Sequence, residues 1–416
     1  MPAKQRLVLA SNINHVTTGE RGLTNVNPAK GRSRDDAHVA FQELFYDRHL
    51  RNVSEWYDFD SVRVGIQTFT SDFRGFLYQD AQPGVRFFGN RFKNRLQYNL
   101  AWFRRLEKNT NSGLNSTFDL REDDVLVANA YFQDFATPGL TASAMVLWNR
   151  NRDRGPHYNE NGFLERPAPV GTERPRAYDV AYVGSGLDGR IGRVNLTASG
   201  FLALGEVRDD PVAARAVDVC GYLAAIEASM DFDWIRAKLF SLHSSGDEDP
   251  FDGEAGGFDA VFENPQFAGA ETGYWHRQTI PLVGGGGLQL SGRNGLLPAL
   301  RTSKEEGQSN FVNPGLWLVG AGADFDLTPE LRLTGNASWL AFDETAILET
   351  LRQQAGVDEE IGFDLSAALV WRPLFSQNVV VRASAAALLP GEGLDDLYGD
   401  RYDVLWSALL NVALVY

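Results

Sequence analysis

Between Ser61 and Leu106 the chain reads SVRVGIQTFTSDFRGFLYQDAQPGVRFFGNRFKNRLQYNLAWFRRL. In Val62-Arg63-Val64-Gly65-Ile66-Gln67-Thr68 the apolar residues share one face, and Arg63, Gly65 and Gln67 share the other. Leu96, Tyr98, Leu100 and Trp102 likewise oppose Arg95, Gln97 and Asn99. Period-two alternation marks a strand with one apolar and one polar face. Between these strands lies Asp72-Phe73-Arg74-Gly75-Phe76-Leu77-Tyr78-Gln79-Asp80, too aromatic for an ordinary solvent loop. Folded inward against a wall, it buries its aromatics and places Arg74 at a constriction. Turned outward, it is a loop with aromatics against lipid.

Working outward, the same alternation recurs to the end of the chain, and connections alternate short and long. Short turns fall near Lys93, Pro138, Gly189, Asp233, Pro329 and Ser376. Long stretches cover 15–36, 107–124, 149–176, 207–216, 246–315, 343–360 and 391–403. This pattern belongs to an all-β chain forming a single transmembrane antiparallel up-and-down β-barrel, with short periplasmic turns and long extracellular loops. The count is about sixteen strands, or about eighteen if 246–315 hides another hairpin, with both termini on the short-turn side. Residues 1–416 read as one domain, with 246–315 folding over or into the lumen. A propeller needs a repeat of roughly 40–50 residues, which the sequence lacks. A soluble sandwich has no reason to alternate short and long connections.

Bulk composition fits the same reading. Of 416 residues, 44% are hydrophobic, and the mean hydropathy is -0.26. No apolar run reaches the ~18 residues of a membrane-spanning helix, but lumen-facing residues dilute the signal of a barrel. The 41 glycines and 12% aromatics suit turns and interfacial girdles. A single cysteine, Cys220, excludes an intramolecular disulfide and is expected to be a buried, inert thiol. A net charge of -15 argues against nucleic acid as a partner. Met1 to Arg6 run straight into a strand without a signal peptide. An exported protein needs one, so its removal is expected.

The last strand carries a resemblance. Trp406, Val412, Leu414 and Tyr416 share a face and end on an aromatic residue, which resembles the C-terminal targeting strand of bacterial outer-membrane proteins. That likeness implies the bacterial cell outer membrane, with its lipid, lipopolysaccharide and assembly machinery as partners. Val62 to Gln67 followed by Asp72-Phe73-Arg74-Gly75 resembles the alginate-export and porin-like barrels. The turn Asp326-Leu327-Thr328-Pro329-Glu330-Leu331 and the acidic stretch Gly246 to Phe262 are similar to theirs. The resemblance implies an outer-membrane channel for small or polymeric hydrophilic solutes, among them an anionic solute or polysaccharide.

If the apolar faces meet lipid, the lumen receives Arg63, Gln67, Asp72, Arg74, Arg95, Gln97, Asn99, Arg193, Arg332 and Arg382. An arginine-lined pore favours anions, because guanidinium pairs with carboxylate and phosphate. The surplus acid is then expected in the loops. The competing reading pairs these arginines with loop acids such as Asp72 and Asp80. Another class is a barrel sheath or scaffold for a partner protein, for example in an electron-transfer or secretion complex, without an open pore. No enzyme is indicated: His243 and Ser244 are adjacent, so on a strand they face opposite ways. The acidic runs at 247–252 and 395–400 lack EF-hand spacing and the histidines are scattered, so neither metal nor cofactor is implied.

Overall fold

The alternating segments form long antiparallel strands. The computed structural model describes residues 5–19, 33–109, 114–153, 177–210, 212–269, 272–274, 280–281, 287–288, 309–373, 378–399 and 403–414. Sixteen long strands follow in chain order: β1 (Gln5–Gly19), β2 (Ser33–Asn52), β3 (Phe59–Thr70), β4 (Gln79–Arg91), β5 (Leu96–Lys108), β6 (Asn115–Phe132), β7 (Leu140–Asn151), β8 (Tyr178–Ile191), β9 (Val194–Val207), β10 (Val217–Phe232), β11 (Ile235–Ser244), β12 (Leu316–Thr328), β13 (Leu331–Ala341), β14 (Glu360–Trp371), β15 (Val379–Pro390) and β16 (Leu405–Leu414). Each pairs antiparallel with the next. The two-residue strand Glu254–Ala255 pairs parallel to Asp218–Val219 and brings the sheet to 17 strands. Within 246–315, Ile280–Pro281 pairs with Gly287–Leu288 as a separate two-stranded sheet. It adds no hairpin to the wall. Among the described residues no register joins β1 to β16.

The two faces differ sharply. Val64, Leu100, Trp102, Val146, Val183, Leu239 and Leu365 are exposed on one side. Gln67, Phe103, Leu147, Tyr182, Ala203, Leu242 and Leu318 are buried on the other. An exposed apolar face over a covered, partly polar one suits hydrocarbon outside. Tight turns hold the registers. Phe92, Lys93 and Asn94 all take positive φ in the β4–β5 turn. Gly65 sits at φ +125°, where a Cβ would lie 2.2 Å from the Leu44 carbonyl oxygen, so β3 can approach β2 there only with glycine.

Two stretches of chain cover the inner face. The β3–β4 connection folds in: Tyr78 bridges in parallel to Phe262, and Phe76, Leu77 and Tyr78 are at most 2% exposed. The β11–β12 connection meets it there. Phe267 packs on Phe76 and Phe240, Phe258 on Tyr182 and Phe311 on Tyr178. Each phenyl so buried contributes roughly 1.5–3 kcal/mol, which accounts for aromatics placed in connections.

Several expectations need correction. The polar stretch 107–124 is mostly strand, because β5 runs to Lys108 and β6 begins at Asn115. Two register shifts, at Arg104/Leu106 and Leu106/Lys108, let its polar residues stay in the ladder. The polar stretch after His15 likewise belongs in part to β1 and β2, which reach Gly19 and start at Ser33. The loops 343–360 and 391–403 carry short helices, α1 (Ala346–Arg352) and α2 (Glu392–Tyr398). Cys220 is exposed rather than buried, because it shares the outward parity of Tyr222 on β10.

Candidate functional site

Asp72 shapes the inward β3–β4 connection. One carboxylate oxygen accepts the Arg74 and Phe76 amides at 3.1 and 3.0 Å, and the other accepts the Leu77 amide at 3.1 Å. Gly75, at φ +73°, brings its backbone against Asn264, where a Cβ would sit 2.7 Å from the carbonyl oxygen. The Asn264 amide donates to the Gly75 carbonyl and the Gln266 amide to the Arg74 carbonyl. Two segments about 190 residues apart are thereby laced together.

Arg74 then ties them to the wall. Its Nη1 donates to the Gln266 carbonyl at 3.1 Å, and its Nη2 donates to Thr197 Oγ1 on β9 at 2.8 Å and Glu227 Oε1 on β10 at 2.9 Å. Beside it a cavity of about 430 Å3 remains, lined by Arg74, Glu227, Lys238, Asp324, Thr334, Ala368, Val370 and Arg382, with Gln266 to Gly269 and Thr272 closing one side. Lys238 pairs with Asp324 at 2.7 Å. Nearer the short turns the wall continues to alternate in sign, with Arg236–Asp231 and Arg332–Asp326 both at 2.6 Å.

The sequence-selected residues separate into three groups. Arg74 and Arg382 line the cavity, and Arg332 lies on the wall nearby, paired with Asp326. Arg63 and Gln67 on β3, and Gln97 and Asn99 on β5, do not line the cavity. Arg63 pairs with Asp47 at 2.8 Å and stacks over Phe45. Gln67 is fully buried, with its amide 3.4 Å from the Gly84 carbonyl. Asn99 donates to Asn129 at 2.7 Å and accepts from Arg86 at 2.8 Å, while Gln97 donates to Asn94 at 3.3 Å. Arg95 and Arg193 are not on strand faces. Both are exposed in turns, because the left-handed backbone before each ends the strand early.

Among the described residues, several wall arginines have a close acidic partner. The arginines meet acids from neighbouring strands: Asp47, Glu227, Asp231 and Asp326. Asp72 caps its own loop, and Asp80, at the start of β4, holds Lys108 at 2.7 Å. Glu227, Lys238, Asp324 and Thr334 were not selected from sequence. The signal was present in Glu227, a lone charge at inward parity in an otherwise apolar run. In the last strand, Trp406, Val412 and Leu414 point outward and are exposed; Tyr416 lies outside the described residues.

No protein-family profile and no curated protein matches this chain. Solved structures do. OccK9 (OpdG) of Pseudomonas aeruginosa is 12% identical, with 99% of this chain and 87% of that chain covered and a TM-score of 0.51. A BenF-like porin from Pseudomonas fluorescens Pf-5 is 10% identical over 100% and 88% of the two chains, with a TM-score of 0.49. The outer membrane protein opdK from Pseudomonas aeruginosa is 12% identical over 99% and 88%, with a TM-score of 0.48. The likeness to OccK9 along nearly the whole chain establishes the fold.

Proposed function

We propose that this chain is a closed β-barrel channel of the bacterial outer membrane that passes small hydrophilic solutes, carboxylates in particular. The observation that carries the reading is the polar cavity of about 430 Å3 left open beside the inward segments. Its lining holds three cationic side chains, Arg74, Lys238 and Arg382, against two carboxylates, Glu227 and Asp324. These guanidinium and ammonium groups offer donors to a carboxylate entering a partly desolvated passage. The cavity size suits one small molecule at a time, which favours small solutes over an exported polysaccharide. The exposed apolar belt suits outer-membrane lipid and lipopolysaccharide, and the outward face of β16 suits recognition by the assembly machinery. A sheath around a partner protein is disfavoured, because the chain's own connections occupy the inner space.

Conductance across a planar bilayer tests this directly. Purified protein is expected to give steady single channels, with a reversal potential in a salt gradient that reports anion preference. Arg382→Ala is expected to lower that preference, by roughly twofold for one lost charge at the constriction. Folded protein that never conducts would sink the channel reading.

A further inference from the structure

We propose that the cavity between Arg74 and Arg382 binds small zwitterions, solutes carrying an ammonium and a carboxylate a few bonds apart. The proposal rests on the channel reading above and names the solute class that its constriction selects.

The order of charge along the wall carries the argument. Glu227 pairs in register with Phe240, two residues from Lys238 on β11. Lys238 pairs with Gly322, two residues from Asp324 on β12. Three successive strands therefore present negative, positive and negative side chains on the inner face, each diagonal to the next. Diagonal neighbours across a ladder are roughly 7–8 Å apart, within reach of one short molecule bearing both charges. A simple anion meets Glu227 and Asp324 beside every cation it approaches. A simple cation meets Arg74, Lys238 and Arg382. A zwitterion places each end against an opposite charge.

The ion pairs have capacity left for it. Glu227 gives Oε1 to Arg74 and Asp324 gives Oδ1 to Lys238. Each carboxylate retains a second oxygen, and the ammonium of Lys238 has three donors. Both pairs stay partly open, with side-chain exposures of 26% and 16% for Arg74 and Glu227, and 15% and 14% for Lys238 and Asp324. A ligand ammonium can join Glu227 or Asp324 and its carboxylate can join Lys238 without breaking either pair. That avoids the cost of leaving a desolvated charge alone. The volume of about 430 Å3 lies at the small end of ligand pockets.

The test compares 4-aminobutyrate, butyrate and butylammonium as blockers of single-channel current in the same bilayer. The zwitterion is expected to remain in the channel at least about tenfold longer than either singly charged analogue, as one extra charge-assisted contact implies. Asp324→Asn and Glu227→Gln are expected to bring the ratio of 4-aminobutyrate to butyrate residence towards one. Lys238→Gln is expected to shorten both. Equal residence for butyrate and 4-aminobutyrate in the unaltered protein overturns the proposal in favour of a plain anion site. Equal residence for butylammonium overturns it in favour of a cation site. Channels that conduct but show no blockade overturn the site and leave the channel reading standing, whereas absence of conductance overturns both.

Discussion

Arg105 and Asp123 form an ion pair at 2.8 Å with both side chains 1% exposed, and Arg105 also lies over the Phe262 ring at 5.3 Å. Asn149 donates to the same carboxylate at 2.5 Å. A charge removed from water to this degree is retained only with its partner in place. Asp123→Asn is therefore expected to destabilise the folded barrel by roughly 3–5 kcal/mol, and the double change Arg105→Met with Asp123→Leu to recover most of that loss. Urea unfolding from detergent or lipid, followed by the gel-mobility difference between folded and unfolded barrel, measures both. Equal losses in the single and double variants would refute the pair as the cause. Such pairs were not legible in the sequence. Asp123 lies in the stretch 107–124, whose polar letters read as loop, and only the shifted register of β5 on β6 brings it to Arg105 inside. Parity assigned Arg382 to the inner face from sequence alone, but it could not tell that Glu227 would stand opposite Arg74, because that contact crosses 153 residues.

The inward connections border the cavity, and one of them is expected to respond to pH. Asp247, 2% exposed, accepts the Gly256 amide at 2.7 Å with one oxygen, and its other oxygen has no hydrogen-bond partner among the described residues. Burial pushes its carboxyl up from 3.8 to about 7, and the nearby Asp252, Asp210 and Asp249 add to the rise against the opposing pull of the Gly256 amide. Folded protein thus holds a proton that the opened segment releases near 3.8. The stabilisation is complete below that value and is lost as pH rises through about 7. Backbone hydrogen exchange in 246–257 is expected to rise from about pH 5 to about pH 8 beyond its intrinsic dependence, and Asp247→Asn to abolish the excess. An excess that survives in Asp247→Asn would assign the response to another group. The irregularity of 246–315 was plain from its glycines and acids. Its burial was not, since an acidic front such as Asp247 to Asp252 reads as solvated until Asn313 and Gly256 are seen to accept and donate around Asp247.

At the scale of the whole molecule, the alternation of short and long connections carried most of the information. It follows from a physical asymmetry: one rim needs only to reverse the chain, while the other supplies the segments that fill the interior. The two-residue turn between Ile191 and Val194 and the β11–β12 connection stand at the two extremes. What composition cannot specify is closure. β1 leaves the short-turn rim and β16 returns to it, so the two can pair antiparallel. Their outward residues match in character: Leu7 and Leu9 are 74% and 65% exposed, and Leu410 and Leu414 are both 68% exposed. Every unpaired backbone group on such an edge in hydrocarbon costs several kcal/mol. Two edges of ten or more residues each therefore cannot remain apart in a bilayer. β1 is expected to close onto β16 with Leu7 and Leu9 continuing the apolar belt. The test is a set of paired cysteines in a Cys220→Ser background, needed because Cys220 is exposed on the same outer surface. Leu9→Cys is combined in turn with Leu410→Cys, Val412→Cys and Leu414→Cys in membrane-inserted protein, and oxidised. One combination is expected to crosslink far more completely than the others, because a one-residue slip turns a side chain to the opposite face and a two-residue slip moves it beyond disulfide reach. If none of the three crosslinks while the protein still conducts, β1 and β16 do not form the seam, and another segment must satisfy the two edges.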